Sequence, residues 1–591
     1  MIKKILKYTF IITISMFVAC LLFIFTISGI TIGMLYLQNS SVTLQDNTVL
    51  EIPINGLLNE RTAENSVMSL LGTDDISSNS LENILAAIKE AQENASVKAI
   101  YLRGGFFQAS PAAAEEIRQA LSTFKQSGKP IIAYADAYSQ ASYYVCSVAN
   151  TLLLNPLGQI DWHGLASEPI FYKDLLAKFG IRMEVFKVGT YKSAVEPYTM
   201  TEMSDANRQQ VTSYLQSIWS HMAGNVSRSR KIHPDSLQVY ADRYITLAPG
   251  KQITQIKMAD KLAYIDETRT LLEKAIHLNE NEQLQIVSPA QLADIRQVNE
   301  PTQEDEIAVY YAYGDIVSTP LTGIGSNATI CAPDVIQDLE ELGNDERIKA
   351  VVLRINSGGG SAYASEQIWR SIRLLSKKKP IVVSMGGMAA SGAYYIACGA
   401  NHLMALPTTL TGSIGIFGII PDASELLTEK LNLHFDEVKT NEHATFGTQS
   451  RPMNITERHL MQQYINRGYD LFVKRVSEGR HIKAESVNKL AQGRVWTGTQ
   501  AKENGLIDEI GTLEDAIKRA AKMGKTNTYD VVHYPKQKPW YELLLEEKGR
   551  NYIEGEVKQL LGDYYAPLRF LKSSTRQDFI QARIPYLPNI H

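Results

Sequence analysis

Short uninterrupted apolar runs alternate with amphipathic stretches along most of the chain. Two of these alternations share one form: Asn83 to Arg103 (NILAAIKEAQENASVKAIYLR) and Asp334 to Arg354 (DVIQDLEELGNDERIKAVVLR). In each, apolar positions three and four apart predict a helix with one buried face, and the closing apolar run predicts a buried strand. The correspondence continues at an offset of about 251: Lys129-Pro130-Ile131-Ile132 answers Lys379-Pro380-Ile381-Val382, Tyr143-Tyr144 answers Tyr394-Tyr395, and Gly164 answers Gly415. Further on, Ala259–Glu267 (ADKLAYIDE) answers Ala501–Glu509 (AKENGLIDE). A repeat at fixed offset means one folding unit written twice. Apolar strands alternating with helical periods predict an α/β fold of parallel β-α units, with domains over 48–300 and 305–535 and a polar linker at Asn299–Asp305. The tail, 536–591, is too short for a core of its own and is expected to pack on a neighbour.

The N-terminus breaks this pattern. No charged residue occurs from Tyr8 to Gln45, and Phe10–Leu37 exceeds the roughly 20 apolar residues that a helix needs to cross a bilayer. A secretory signal has a shorter apolar region and a small-residue cleavage site. The segment 10–37 therefore predicts an uncleaved transmembrane anchor. Lys3, Lys4 and Lys7 precede it, and no positive charge follows until Arg61, so residues 1–9 are expected in the cytoplasm and the rest on the outer side of the membrane.

Composition narrows the function. The 591 residues are 45% hydrophobic and carry 59 Lys+Arg against 63 Asp+Glu, for a formal charge of -4. Without a broad basic surface, nucleic acid is not an expected partner. Four cysteines, Cys20, Cys146, Cys331 and Cys398, show neither C-x-x-C nor zinc spacing and read as buried thiols.

The two halves differ in two loops, and candidate chemistry lies there. After strand Val351–Ile355 the second half reads Asn356-Ser357-Gly358-Gly359-Gly360-Ser361, where the first has Gly105-Phe106-Phe107-Gln108-Ala109-Ser110. Successive glycines let backbone amides turn toward a ligand, as an oxyanion site requires, and the absence of a following Gly-Lys-Ser/Thr excludes a phosphate-binding P-loop. The second loop is Met385-Gly386-Gly387-Met388-Ala389-Ala390-Ser391-Gly392. Ser391 opens the next helix, either as an N-cap or as a nucleophile at the positive helix end. Its first-half equivalent, Gln140, cannot attack. A nucleophilic serine needs a base, and neither a Gly-x-Ser-x-Gly elbow nor a His-Glu-x-x-His pair occurs. Lys192, set in Val188-Gly189-Thr190-Tyr191-Lys192-Ser193-Ala194-Val195, is one candidate, because burial favours the neutral amine. It lies 52 residues after Gln140; the residue 52 after Ser391 is His443, the other candidate, in a polar segment.

Four segments, INSGGGSAYASE, GGMAASGAYYIA, TLTGSIGIFG and VGTYKSAVEPY, together resemble the bacterial signal peptide peptidase A (protease IV) family in its long form. The resemblance covers nearly the whole chain. It implies two tandem Clp-protease/crotonase-like domains after one transmembrane helix, with no cofactor or metal. It further implies Ser391 as nucleophile, Lys192 as general base and Ser413 as the residue that orients the lysine. Gly359 or Gly360 with Gly392 would form the oxyanion hole. The family commonly has Pro where this chain has Gly358. Also implied are a homotetramer in the bacterial cytoplasmic membrane, and peptide substrates such as released signal peptides. Two alternatives use the same fold: a crotonase-type acyl-CoA enzyme without a nucleophile, and an inactive membrane-tethered scaffold.

Overall fold

The Val- and Ile-rich runs pair as parallel strands because helices cover both faces of the sheets they build. A computed structural model describes residues 44–61, 80–279, 281–293, 303–319, 329–536 and 580–583, with isolated positions 15, 22 and 26. The expected transmembrane segment 10–37 thus lies outside the described residues apart from those isolated positions. Among the described residues, no helix is long and apolar enough to cross a membrane.

The first half contributes β1 (Thr48–Leu57), α1 (Leu81–Glu93), β2 (Val97–Gln108), α2 (Pro111–Phe124), β3 (Ile131–Tyr138), α3 (Gln140–Cys146) and β4 (Thr151–Ile160). Then come β5 (Arg182–Lys187), the long α4 (Asp205–Arg230), β6 (Lys261–Leu262) and β7 (Gln285–Val287). Polar caps set the helix starts: the Ser80 hydroxyl accepts from the Asn83 amide, and Ser110 does the same for Ala113 ahead of Pro111. Six strands form one parallel sheet in the order β6-β4-β3-β2-β1-β7.

The second half repeats the plan with β8 (Glu306–Tyr313), β9 (Asp315–Val317), β10 (Thr329–Cys331), α5 (Ala332–Asn344), β11 (Ile348–Ser357), β12 (Gly359–Ser361) and α6 (Ala362–Leu375). It continues through β13 (Ile381–Ala390), α7 (Gly392–Ala397), β14 (His402–Ala405), β15 (Leu410–Gly412) and β16 (Phe417–Asp422). The last elements are α8 (Ile455–Arg480), β17 (Val495–Thr497), β18 (Glu509–Ile510), α9 (Leu513–Gly524), β19 (Asp530–Tyr534) and β20 (Ile580–Arg583). Its main sheet runs β17-β15-β13-β11-β8-β19, with β14 on β13 and β18 on β14. Where β4 is one strand, β14 and β15 divide the same role, each pairing with a different stretch of β13.

A further sheet joins the halves in the order β10-β9-β12-β20-β16-β5. First-half β5 pairs antiparallel with second-half β16, from Lys187 opposite Phe417 to Arg182 opposite Asp422. The first-half core accepts Met388, Ala390, Leu410 and Val495 from the second half, so the apolar interior crosses the boundary.

Three stretches read as loops are strands. Residues 385–390 of the second loop continue β13, where Met388, Ala389 and Ala390 pair with β15. Gly105–Gln108 extends β2 because Gly104, Phe107 and Gln108 still pair with β1, across a register shift. Gly359–Ser361 is β12 because it lies between β9 and β20, and unbranched glycines permit that close approach. Of the tail, the structure describes residues 536 and 580–583; the latter form β20, antiparallel to β12 on one side and to β16 on the other.

Candidate active site

Lys192 reaches the second half because β5 carries it there. The loop after β5 is docked on residues 492–495: the Tyr191 amide donates to the Gln492 carbonyl at 2.8 Å. Gln210 of α4 secures both sides, donating to the Tyr191 carbonyl at 3.0 Å while its Oε1 accepts from the Val495 amide at 3.1 Å. Sequence reasoning passed over Gln210, which reads as an ordinary polar helix position.

The lysine side chain is 1% exposed; its Nζ lies 2.7 Å from Ser391 Oγ and donates to Ser413 Oγ at 3.0 Å and to the Ser413 carbonyl at 3.1 Å. Burial pushes the amine well below the usual lysine range, since no carboxylate offsets the lost hydration. Ser391 is fully buried and sits between β13 and α7 with φ 58° and ψ −117°, a sparsely populated conformation for a residue bearing a side chain. Its amide donates to the Gly412 carbonyl at 2.8 Å, and its hydroxyl makes no cap bond to α7. Ser413 is also left-handed, φ 50°, and its amide donates to the Arg494 carbonyl at 2.7 Å.

The glycines meet at the same point. The Gly359 amide donates to Ser357 Oγ at 3.1 Å, and the Gly360 nitrogen lies beside the start of α7. A methyl on Gly392 would fall 3.2 Å from the Gly360 nitrogen and 3.0 Å from the Ala582 carbonyl oxygen. One on Gly359 would fall 2.0 Å from that same oxygen. The carbonyl of β20 thus lies over the glycines, with Ala582 opposite Gly360. A buried lysine amine touching a serine hydroxyl, next to backbone amides around a peptide carbonyl, has the parts of nucleophilic acyl transfer.

His443 lies in the segment between β16 and α8 and makes no hydrogen bond to Ser391 or Lys192; its Nδ1 is buried without a partner. Cys146, Cys331 and Cys398 are buried free thiols. Among the described residues, no group of three or more His, Cys, Asp or Glu side chains is arranged to hold a metal ion.

The sequence matches peptidase family S49 over residues 123–279 and 373–527, and the Clp protease family over 320–411. The chain belongs to peptidase family S49. Protease 4 of Salmonella typhi is 33% identical over 555 residues, covering 89% of this chain and 85% of that protein. Protease 4 of Haemophilus influenzae is 34% identical over 453 residues, covering 75% and 72%. The chloroplastic serine protease SPPA of Arabidopsis thaliana is 30% identical, covering 68% of this chain and 60% of its own length. As an S49 peptidase with these relatives, the chain is a serine protease with two tandem S49 domains.

Proposed function

We propose that this S49 peptidase cleaves peptides with a Ser391–Lys192 dyad assembled from its two halves, and that it acts on short or unfolded peptides, released signal peptides among them, at the outer face of a bacterial cytoplasmic membrane. The observation that carries the reading is the 2.7 Å contact between a fully desolvated lysine amine and a serine hydroxyl. The neutral amine takes the Oγ proton as the serine attacks the peptide carbonyl. The Gly360 and Gly392 amides stabilise the oxyanion, each such donor contributing about 2.7–4 kcal/mol. The lysine returns its proton to the leaving amine, and water then hydrolyses the acyl-enzyme. Ser413 orients the amine between its own hydroxyl and carbonyl.

Strand β20 supports the manner of substrate binding. It fills a slot one strand wide between β12 and β16, with Gln581 opposite both Ser361 and Phe417. A peptide entering in its place would be held by main-chain bonds from both sides, and such recognition needs an extended, unfolded substrate. The fully buried Ala582 at the glycines suits a small residue before the scissile bond. Anchoring by residues 10–37 and assembly into a homotetramer complete the proposal.

The test is hydrolysis of an unstructured peptide together with labelling by a serine-reactive phosphonate. Hydrolysis and labelling at Ser391, both lost in Ser391→Ala and Lys192→Ala, support the dyad. Undiminished labelling and turnover in Lys192→Ala would overturn it.

A further inference from the structure

Ser391 stands at the end of an irregular strand. Between the pairs Ile355–Met385 and Ser357–Ala389, β11 has one residue, Asn356, where β13 has three, Gly386, Gly387 and Met388. The resulting bulge decides how Ala389, Ala390 and Ser391 leave the sheet. Asn356 fills it from the opposite strand: its Oδ1 accepts from the Met388 amide at 3.2 Å. The other end of that amide is held from the first half, because Asn356 Nδ2 donates to Glu60 Oε1 at 2.9 Å. A methyl on Gly386 would lie 2.8 Å from the same carboxylate oxygen, so the glycine makes room for Glu60.

Glu60 is itself fixed by its second oxygen. Arg354, 1% exposed, donates through Nε to Glu60 Oε2 at 3.2 Å and through Nη2 to Glu116 Oε2 at 2.6 Å. Its Nη1 reaches Ser384 Oγ at 3.0 Å, and Glu116 Oε1 also accepts from the Leu513 amide at 2.6 Å. Both carboxylates come from the first half and the guanidinium from the second. Buried charges of this kind contribute little net stability over apolar replacements, and removing one partner is costly. Among the described residues, the Glu116 carboxylate bonds to Arg354 and to the start of α9, whereas the Glu60 carboxylate continues, through Asn356, to the bulge. At the position equivalent to Asn356 the first half has Gly105, with no side chain to fill a bulge, and Gln140 in place of the serine.

We propose that Glu60 is a positioning residue: the first half supplies, besides Lys192, the carboxylate that locks Asn356 into the β13 bulge and so aims Ser391 at its substrate. The inference rests on Ser391 being the nucleophile. Small displacements of a reacting group cost up to about a hundredfold in rate, so the effect should fall on kcat and not on KM.

The experiment compares Glu60→Ala, Glu60→Gln, Asn356→Ala and Glu116→Ala in the full chain, reading kcat, KM, the rate of phosphonate labelling and Tm. Glu60→Ala and Asn356→Ala should lose about tenfold or more in kcat and in labelling rate, with KM within about twofold. Glu116→Ala should lower Tm as much as Glu60→Ala while leaving kcat within about twofold. Glu60→Gln should recover most of kcat without recovering Tm, because an amide oxygen still accepts from Asn356 but no longer pairs with Arg354. If Glu60→Ala does not fold, Asn356→Ala decides alone, since it leaves the ion network whole. Unchanged kcat in Asn356→Ala, or equal kcat losses in the Glu60 and Glu116 variants, would overturn the proposal. A wild-type enzyme that neither hydrolyses peptide nor labels at Ser391 would instead sink the dyad reading itself.

Discussion

Gly493 holds the backbone of Lys192: a methyl placed on Gly493 would fall 2.6 Å from the lysine N, Cα and Cβ atoms. Gly493 also has φ +79°, a conformation that side chains rarely adopt. Gly493→Ala should therefore displace the lysine loop. Peptide hydrolysis is expected to fall about a hundredfold, with the β5–β16 pairing kept. Parallel circular dichroism and activity measurements check this, and near-normal turnover in a folded variant would show that Lys192 needs no fixed seat.

Ser391→Ala and Lys192→Ala should each bring turnover near background, and the double variant should lose little more, because members of one catalytic unit are not additive. His443→Ala should cost less than about tenfold. Steady-state kinetics on the four proteins decide the matter. An inactive His443→Ala beside an active Lys192→Ala would move the base to histidine.

Burial lowers the Lys192 pKa well below that of an exposed lysine, and this has consequences of known sign. Only the neutral amine accepts the serine proton, so kcat should rise with pH through the lowered value and level off above it. Below the unfolded-state pKa, the unfolded chain binds a proton that the native lysine resists. Stability therefore falls as pH drops from the unfolded pKa to the native one. Lys192→Met should raise Tm at neutral pH while abolishing hydrolysis, and thermal melts across pH would expose the opposite case.

A chain ending at residue 579 lacks β20 and leaves the slot between β12 and β16 open. Its kcat/KM for an added peptide should exceed that of the full chain several-fold, mainly through KM, because the tail and the peptide compete for the same main-chain bonds. Equal values in both chains would show that β20 does not stand where substrate binds.

The fold was legible where the pattern is local. The helix and strand from Asn83 to Arg103 and its copy from Asp334 announce themselves by period, and their repetition gives the α/β duplication. Lys192 and Ser391 were legible because each half departs from its copy there. Glu60 was not: its partners Arg354 and Asn356 lie 294 and 296 residues away, and no spacing rule links them. Gly493 was hidden for a similar reason, since a lone glycine shows nothing of the backbone pressed against it. Strand β20 was invisible because its pairing comes from the slot, and a four-residue strand carries too short a pattern to read.

The ladder between β5 and β16 also has a meaning for biosynthesis. Ser391 and Lys192 are 199 residues apart, so a chain made from its N-terminus cannot form their contact before part of the second half has been made. In a nascent chain that has completed only its first half, Lys192 has no Ser391 to meet, and the ladder that leads to it has no second strand. On the proposed dyad, a first half made alone is no peptidase, because the serine and lysine meet only once the second half pairs with β5.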